Sequence, residues 1–188
     1  MILIVFVAAV VTLLAYAVAI YNRLIFLKNQ CDKSWFNIDV ILKQRHDEIP
    51  KLIGVCEGSA KFEKGTLERV IAARSVAASA AGAGVAERAK AEGELSSALG
   101  RLFAVAEQYP ELKTTQIFSQ LQGRITQLEN ELADRREYYN DSVMNLNVTV
   151  ESVPSNFVAG YAGMRQRELF KVADADKQDV QVKFQLPQ

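Results

Sequence analysis

Residues 2–20 read ILIVFVAAVVTLLAYAVAI, and the first charged side chain of the sequence is Arg23. Only the hydroxyl groups of Thr12 and Tyr16 interrupt this apolar run. A helix of about 20 apolar residues is long enough to cross the hydrocarbon core of a bilayer. The run therefore predicts a transmembrane anchor over residues 1–22, and we interpret the rest of the chain as attached to a membrane.

The same run has an alternative interpretation as a cleaved signal peptide, because Ala17-Val18-Ala19 has the small-x-small pattern of a cleavage site. Signal peptides carry basic residues before an apolar core of about 7–15 residues. No basic residue precedes this run, and the run is longer than such a core. These features favour an uncleaved, single-pass anchor.

Charges that follow the run predict its orientation. Three basic residues, Arg23, Lys28 and Lys33, stand beside one acidic residue, Asp32. Basic residues next to a membrane helix favour the cytoplasmic side, and tyrosine is enriched at the membrane interface. We therefore expect the soluble part in the cytoplasm and Tyr21 at the bilayer surface.

Small side chains follow one face of the predicted anchor. They recur at spacings of 4, 3 and 4, and they are Ala8, Thr12, Ala15 and Ala19. Small residues allow two membrane helices to approach closely, so this face is a candidate for packing against another helix. The alternative is that alanine is simply common in membrane helices.

The composition predicts an all-α fold without nucleic-acid binding. Lys and Arg number 22 and Asp and Glu number 22, so no basic excess points to nucleic acid. Helix-forming residues dominate after the anchor, and runs of β-branched residues are missing except near the C-terminus. The roughly 165 residues after the anchor are enough for one domain with its own core.

Apolar residues continue beyond the anchor at spacings of 3 and 4, which is the pattern of a helix-bundle or coiled-coil seam. The seam positions are Leu24, Leu27, Cys31, Trp35, Ile38, Leu42, Arg45, Ile49, Leu52 and Cys56. Pro50 lies inside this helix, and proline removes a backbone hydrogen bond. We expect a kink or a short break at Pro50 and the end of the helix at Gly58-Ser59.

Similar spacings predict three further helices, over about residues 60–80, 87–108 and 118–153. Alanine, glycine and serine crowd residues 77–91, where Gly82 and Gly84 predict a flexible loop. A short helical piece is expected over residues 165–170. Beyond it, apolar and polar residues alternate with a period of two, which indicates an extended segment.

These elements predict an N-terminal transmembrane helix that continues into an elongated antiparallel bundle of about four helices, with an extended C-terminal tail. The predicted units are the anchor at residues 1–22, the bundle at 23–170 and the tail at 171–188. We expect the tail to lie along a groove or to pair with another chain.

The sequence offers few groups for catalysis or metal binding. His46 is the single histidine, and Cys31 and Cys56 lie 15 and 10 positions from it on the same predicted helix. These separations correspond to about 22 and 15 Å, so only a contact between subunits could form a Cys/His site. The carboxylates of Glu92-Gly93-Glu94 and Asp174-Ala175-Asp176 are expected to be solvated. We therefore predict no enzyme activity, no cofactor and no metal.

Arginines occur at or beside seam positions, and acidic residues are placed to meet them. An isolated buried charge is very costly, so a buried arginine must be paired. Two interpretations remain open: a buried polar layer that fixes helix register, or a groove that binds a partner. The candidate residues are Asp39, Arg45, Arg74, Arg101, Glu107, Glu129 and Arg136.

Motifs over nearly the whole chain resemble those of the LemA family of bacterial membrane proteins. They are Tyr21-Asn22-x-Leu24, Ile38-Asp39-Val40-x-Leu42-Lys43-x-Arg45, Asp47-x-Ile49-Pro50-x-Leu52, Leu67-x-x-Val70-x-x-Ala73-Arg74, Leu95-Ser96-x-Ala98-Leu99-x-Arg101-Leu102-Phe103-Ala104-Val105, Tyr109-Pro110-x-Leu112-Lys113, Phe118-x-x-Leu121-Gln122, Glu129-Asn130, Arg136-x-x-Tyr139-Asn140-x-x-Val143, Asn147 and Pro154-x-Asn156. The resemblance implies one N-terminal membrane helix, an elongated helical bundle and a place in the bacterial cytoplasmic (inner) membrane. It implies no reaction, and some relatives resemble factors that build or remodel internal membranes.

The sequence departs from the family at several positions. His46 replaces the usual tyrosine, Lys51 replaces the asparagine that follows the Ile-Pro pair, and Phe62 replaces a common histidine. Leu146 and Val153 replace aromatic residues. The missing histidine further weakens a metal site, and Lys51 leaves open what replaces the contact of the usual asparagine.

Two functions remain open at the level of sequence. The first is a non-enzymatic, membrane-anchored helical scaffold that forms a homo-oligomer and organises a membrane patch or a protein complex. The second is an accessory or adaptor subunit for a membrane peptidase or transporter. The implied partners are the lipid bilayer and further copies of the chain, and the second function implies a membrane-protein partner.

Overall fold

A computed structural model describes residues 1–59 and 62–171 of the chain. Its first helix, α1, runs without interruption from Ile2 to Glu57, so one helix of 56 residues contains both the predicted anchor and the first bundle helix. At 1.5 Å per residue this helix is about 84 Å long. The expected continuous helix is confirmed.

The remaining elements are helical as well, and the described residues contain no strand. They are α2 (Lys64–Ser79), a 3-10 turn (Ala80–Gly82), α3 (Val85–Ala106), α4 (Pro110–Lys113), α5 (Gln116–Glu151) and α6 (Ser155–Tyr161). The all-α prediction, with four long helices, is confirmed. Residues 172–188, which hold nearly all of the predicted tail and the Asp174-Ala175-Asp176 pair, lie outside the described residues.

The two longest helices, α1 and α5, pack against each other in antiparallel orientation. Gln44 of α1 contacts Arg124 near the start of α5, whereas Ser34 contacts Ser142 further along α5, with 3.2 Å between the two hydroxyl oxygens. Helices α2 and α3 form an antiparallel hairpin that packs beside this pair. The structure is therefore an elongated antiparallel bundle.

The apolar interior forms two separate cores along the bundle. The membrane-proximal core contains Leu24, Leu27, Cys31, Ile38, Leu42, Leu128, Leu132, Tyr139, Val143 and Leu146. The distal core contains Ile49, Leu52, Cys56, Leu67, Val70, Leu95, Leu99, Leu102, Phe118 and Ile125. Predicted seam residues of α1 thus enter both cores, and they do so because one face of the helix meets its neighbours over its whole length outside the membrane.

The apolar run at the start of α1 lies outside both cores. Within the described part of the chain, α1 is the one helix long and apolar enough to cross a membrane, and none of its apolar window is buried in the bundle. A core helix of a soluble protein would be buried instead. The apolar surface of this run is therefore available to lipid.

Three local predictions need correction. Helix α1 continues through Pro50, so the alternative of a break there is wrong. The flexible loop predicted over residues 77–91 shrinks to the short connection around Gly82, because α3 already begins at Val85. Residues 165–170 are not helical; the last helix among the described residues lies earlier, at Ser155–Tyr161.

Two asparagines explain why residues 165–170 are extended. Asn147 donates from Nδ2 to the carbonyl of Arg167 at 2.9 Å and accepts from its backbone N–H at 2.8 Å. Asn140 holds the backbone of Phe170 in the same two-way manner, at 3.1 and 2.8 Å. These side chains supply the hydrogen bonds that a helix would otherwise provide, so the segment 164–171 forms a strap along α5.

Candidate functional site

A buried arginine separates the two cores. Arg45 occupies a seam position of α1 between Leu42 of the membrane-proximal core and Ile49 of the distal core. Its side chain is fully buried. On α5, Ile125 belongs to the distal core and Leu128 to the membrane-proximal core, so the boundary between the cores lies between these two residues. A charged cross-section therefore lies between the two apolar cores.

Two acidic residues and a serine bind the terminal nitrogens of this arginine, while its Nε has no hydrogen-bond partner among the described residues. Arg45 donates from Nη2 to the Glu92 carboxylate and from Nη1 to the Glu129 carboxylate. Nη1 also donates to Ser96 Oγ at 2.8 Å, and Ser96 Oγ lies 3.1 Å from Glu129 Oε2. The cluster joins α1, α3 and α5 because each helix contributes at least one of these side chains.

His46 completes the charged cluster on the α3 side. Its Nε2 lies 3.1 Å from Glu92 Oε1, and the Glu92 side chain is almost fully buried. Burial alone raises the pKa of the Glu92 carboxyl group, but the hydrogen bond to His46 and the charge of Arg45 outweigh it and lower the pKa. Glu92 is thus held as a buried carboxylate. The expectation that Glu92 is solvated is wrong.

Arg74 contacts this region through a hydrogen bond to the backbone of α1 and not through an ion pair with an acidic side chain. Its Nε donates to the carbonyl oxygen of His46 at 3.1 Å. In a regular helix that carbonyl would accept from the backbone N–H of residue 50, which proline lacks. Arg74 of α2 therefore supplies the hydrogen bond that Pro50 removes from α1.

Arg136 lies near the cluster but is not one of its hydrogen-bonded members. Its guanidinium stacks over the Phe170 ring, 4.9 Å from the ring centroid, and its Nε and Nη2 have no hydrogen-bond partner among the described residues. Burial lowers the pKa of Arg136, and the nearby charge of Arg45 lowers it further. The strap is thus held on its α5 side by a cation–π contact as well as by the two asparagines.

Asp39 pairs with an arginine that was not among the sequence candidates. Arg88 Nη1 lies 2.5 Å from Asp39 Oδ1, an ion pair without hydrogen-bond geometry. The guanidinium of Arg88 also stacks on Trp35, 5.3 Å from the ring centroid. This contact ties the start of α3 to α1 on the membrane-proximal side of Arg45.

The other two candidates lie on the surface. Arg101 is exposed on α3, and Glu107 forms an exposed ion pair with Lys113. Neither reaches the cluster around Arg45. The structure therefore brings together Arg45 and Glu129, with Arg74 and Arg136 beside them, and leaves Arg101 and Glu107 apart.

The spacing of residues in α3 indicates Arg88 and Glu92, which were not among the sequence candidates. Arg88 and Glu92 precede Leu95, Leu99 and Leu102 at spacings of 4, 3, 4 and 3, and all five are buried. The apolar seam of α3 therefore extends into charged residues, as the seam of α1 does at Arg45. Sequence reasoning missed this because it assigned residues 77–91 to a flexible loop and expected the Glu92 carboxylate to be solvated.

The four small residues of the anchor lie on the exposed surface of α1. Thr12 Oγ1 donates to the carbonyl of Ala8 at 2.9 Å, which satisfies its hydroxyl group within the helix. Ala15 and Ala19 continue the same face. The hydroxyl group of Thr12 therefore does not prevent this face from packing against another membrane helix. The packing role of the face stays a prediction.

The cysteines and the histidine lie in separate environments. Cys31 belongs to the membrane-proximal core and Cys56 to the distal core, and both are free thiols. Burial, with a smaller contribution from Glu57, raises the pKa of Cys56 to about 11, which disfavours the reactive thiolate. His46 contacts Glu92 instead of either thiol. The chain thus brings no Cys/His pair together among its described residues.

The fold and the buried cluster define a membrane-associated helical-bundle protein. The model of the LemA family matches residues 34–184, so the chain belongs to the LemA family. The match covers α1 from Ser34 onward, all of α2 to α6 and residues 171–184 of the tail.

Several curated proteins are similar over a shorter region. Magnetosome protein MamQ 2 and Magnetosome protein MamQ 1 of Paramagnetospirillum magneticum are each 33% identical over 81 residues, which is 43% of this chain and 30% of theirs. Magnetosome protein MamQ of Magnetospirillum gryphiswaldense is 31% identical over 80 residues, 43% of this chain and 29% of the relative. The similarity spans less than a third of the length of these relatives.

Proposed function

We propose that this protein is a non-enzymatic scaffold, anchored in the bacterial cytoplasmic membrane, whose copies associate side by side through α1. The observation that carries the proposal is a second seam on α1, on residues that the bundle leaves exposed. We call it the exposed seam. Its positions alternate at spacings of 4 and 3: Ala8, Thr12, Ala15, Ala19, Asn22, Phe26, Asn29, Lys33, Phe36 and Val40.

The side chains of the exposed seam suit contact with another helix. In the anchor they are small, which favours close approach of membrane helices. Outside the anchor Phe26 is 66% exposed and Phe36 is 65% exposed, so two large apolar rings face away from the bundle. A repeat of 3.5 residues that crosses the bilayer surface without a change of phase is the pattern of a coiled coil. Two parallel copies would match along the seam at every position except Lys33, where like charges would meet.

Polar residues of the exposed seam favour a defined alignment. Asn22 and Asn29 occupy equivalent positions, seven residues apart. An asparagine inside a coiled-coil seam lowers stability but selects the register and the number of helices, because it must meet another polar group. The two asparagines therefore support an in-register parallel association over a non-specific apolar contact.

The buried cluster supports this proposal by fixing how α1 sits in the bundle. Arg45, Glu92 and Glu129 join three helices through charge-assisted hydrogen bonds, and an apolar interior alone could slide by a turn. A slide or rotation of α1 would leave a buried charge unpaired. An unpaired buried charge lowers the free energy of unfolding by several kcal/mol. We infer that the cluster is a register-setting layer, which keeps the exposed seam on the outside.

The cytoplasmic side is proposed for the bundle. Arg23 and Lys28 follow the anchor, and the strap brings Arg165 and Arg167 back to the same end of the bundle. Four basic side chains near the bilayer surface strengthen the bias that the sequence alone indicates.

Disulfide crosslinking of the full chain in lipid vesicles tests the association. Asn29 lies on the exposed seam, and Asn145 is an exposed residue of α5 at a similar height. Asn29→Cys and Asn145→Cys are therefore matched changes, and the parent chain, whose thiols are buried, gives the baseline. We expect the Asn29→Cys variant to form a covalent dimer under mild oxidation at high dilution in lipid, and the Asn145→Cys variant to remain monomeric.

Equal crosslinking of both variants, or none in either, contradicts the proposal. Phe36→Ser in the Asn29→Cys background should weaken the crosslink, because it removes an exposed apolar ring from the seam. The adaptor function remains the alternative. It is favoured if the Asn29→Cys chain, oxidised in native membranes, yields an adduct with a different protein and no homodimer.

A further inference from the structure

The turn between α5 and α6 lies beside the membrane end of α1. We call residues 148–161, which comprise the end of α5, this turn and α6, the elbow. Val148, Ser152 and Ser155 of the elbow line one groove together with Tyr16 and Ala19 of α1. Because Tyr16 and Ala19 belong to the apolar run that is long enough to cross a bilayer, the elbow lies at the depth of the membrane interface.

The elbow exposes large apolar side chains in this position. Val153 is 75% exposed, Phe157 is 72% exposed and Tyr161 is 97% exposed. They are spaced four residues apart, so Phe157 and Tyr161 share one face of α6. Ala159, by contrast, is buried in the membrane-proximal core. The helix α6 therefore packs one side on the bundle and turns aromatic residues away from it.

A basic pocket adjoins the elbow a little further along α1. Its volume is about 300 Å³, and it opens between Tyr21, Lys28, Leu146 and the chain from Ala162 to Arg165 and Arg167. Arg167 Nη1 is paired with Asp32 at 2.6 Å, whereas Lys28 and Arg165 are exposed at the rim. The pocket therefore carries a net positive charge. Basic side chains near a bilayer attract anionic headgroups with about 1 kcal/mol each.

We propose that the elbow is a second membrane-contacting element, with Val153, Phe157 and Tyr161 inserted into the interface and the basic pocket bound to the phosphate of an anionic lipid. Apolar side chains in this setting bury about 5–10 Å deep, at the boundary of headgroups and acyl chains. Aromatic rings favour that boundary because one end is apolar and the other can meet water. This contact is independent of the association through the exposed seam.

A membrane contact of the elbow has a mechanical consequence. The elbow belongs to α5 and α6 rather than to α1, so its lipid contact adds a second attachment point beside the anchor and restricts the tilt of the bundle to the bilayer. An anchor alone would leave a single helix about which the bundle could rotate and tilt. The lipid contact would thus orient the exposed seam relative to the membrane surface.

Fluorescence quenching by brominated lipid tests the insertion in the full chain reconstituted into phosphatidylglycerol and phosphatidylcholine vesicles. Phe157→Trp places a reporter on the elbow, and Ile117→Trp places one at the distal end of α5, where Ile117 is 58% exposed. The signal of native Trp35 is subtracted with the parent chain. We expect lipids brominated near the headgroup to quench the Phe157→Trp reporter several-fold more than the Ile117→Trp reporter.

Equal quenching of the two reporters overturns the proposal. So does quenching of the Phe157→Trp reporter that disappears as protein concentration in the vesicle rises, because a second copy of the chain would then be covering the elbow. Circular dichroism of each variant must match the parent, so that a loss of quenching cannot result from unfolding.

The choice of headgroup is tested with brominated phosphatidylglycerol against brominated phosphatidylcholine in mixed vesicles. The native pocket should give the phosphatidylglycerol stronger quenching of the Phe157→Trp reporter, and Lys28→Gln with Arg165→Gln should remove this preference. Lys43→Gln with Arg69→Gln removes the same charge from exposed sites elsewhere and should leave the preference unchanged. If inorganic phosphate abolishes the preference at constant ionic strength, the pocket binds free phosphate rather than lipid, and that part of the proposal is wrong.

Discussion

Arg74 donates a hydrogen bond from Nε to the backbone carbonyl of His46, at 3.1 Å. The carbonyl is the one that Pro50 leaves without a donor in α1, because proline has no backbone N–H. An arginine of α2 therefore takes over a helical hydrogen bond of α1. This explains how a proline is accommodated within an uninterrupted helix, and why Pro50 and Arg74 should be coupled in energy.

A double-mutant cycle tests this coupling. Arg74→Ala should lower the free energy of unfolding of the bundle by about 1–3 kcal/mol, because it leaves the His46 carbonyl without a donor. In a Pro50→Ala background the backbone N–H returns, so the same change should cost much less. Urea unfolding of the full chain in detergent, followed by circular dichroism, measures both. Arg101→Ala is the control, since exposed Arg101 should change stability by less than about 0.5 kcal/mol. Additive effects of the two changes would rule out the coupling.

Removal of the buried arginine should be far more costly. Arg45→Ala leaves the Glu92 carboxylate buried without its cation, so we expect a loss of about 3–5 kcal/mol in the free energy of unfolding. Arg135→Ala, an exposed position on α5, is the matched control with an effect near zero. Arg45→Met combined with Glu92→Leu removes both charges and should recover part of the loss. A stable Arg45→Ala bundle that no longer associates with partners would favour the groove interpretation over the register-setting layer.

Stability should depend on pH through Glu92. The folded-state pKa of this carboxyl lies below its usual value of 4.5, so the folded state binds the proton less readily than the unfolded state. The stabilisation is then present above about pH 4.5 and is lost as the pH falls through the folded-state pKa. Unfolding free energies measured across this range should decline towards acid. Glu92→Gln should flatten the decline, whereas Glu94→Gln, at an exposed neighbouring position, should keep it. An unchanged slope in Glu92→Gln contradicts the assignment.

Asn147 should control access to the strap. Asn147→Ala removes both hydrogen bonds to the backbone of Arg167, each of which contributes about 0.5–1.5 kcal/mol. Local opening of the strap should therefore increase roughly tenfold or more, and trypsin cleavage after Arg165 and Arg167 should accelerate accordingly. Asn145→Ala provides the control, because Asn145 is exposed on the same helix. Equal cleavage rates in the two variants would show that the asparagine does not hold the strap.

Local patterns were sufficient for the helices. The apolar run of residues 2–20, the 3/4 spacing after Leu24 and the similar spacing from Phe118 depend on neighbours within the same helix, so one sequence reveals them. Where two patterns competed, the prediction failed. The composition of residues 77–91 favoured a loop, but α3 begins at Val85 and the buried position of Arg88 shows that the helical pattern continues there.

The strap illustrates a different kind of failure. Residues 165–170 have no local feature that forbids a helix, and the sequence predicted one. The asparagines that hold these residues extended lie 20 and 30 positions earlier in the chain. Because this competition is between local backbone bonds and distant side chains, only the packed structure decides it.

The sequence by itself determined the membrane anchor, the all-α class, the buried seam of α1 and the family, since each depends on short-range spacing or on motifs in order. It also placed Arg45 at a seam position and so indicated a buried charge. Only the tertiary structure decided that Glu92 and Glu129 neutralise this charge, that Arg74 replaces the bond missing at Pro50, and that the elbow returns to the membrane end of α1. The physical reason is that these relationships depend on the register between separate helices. No single helix contains the information that sets this register.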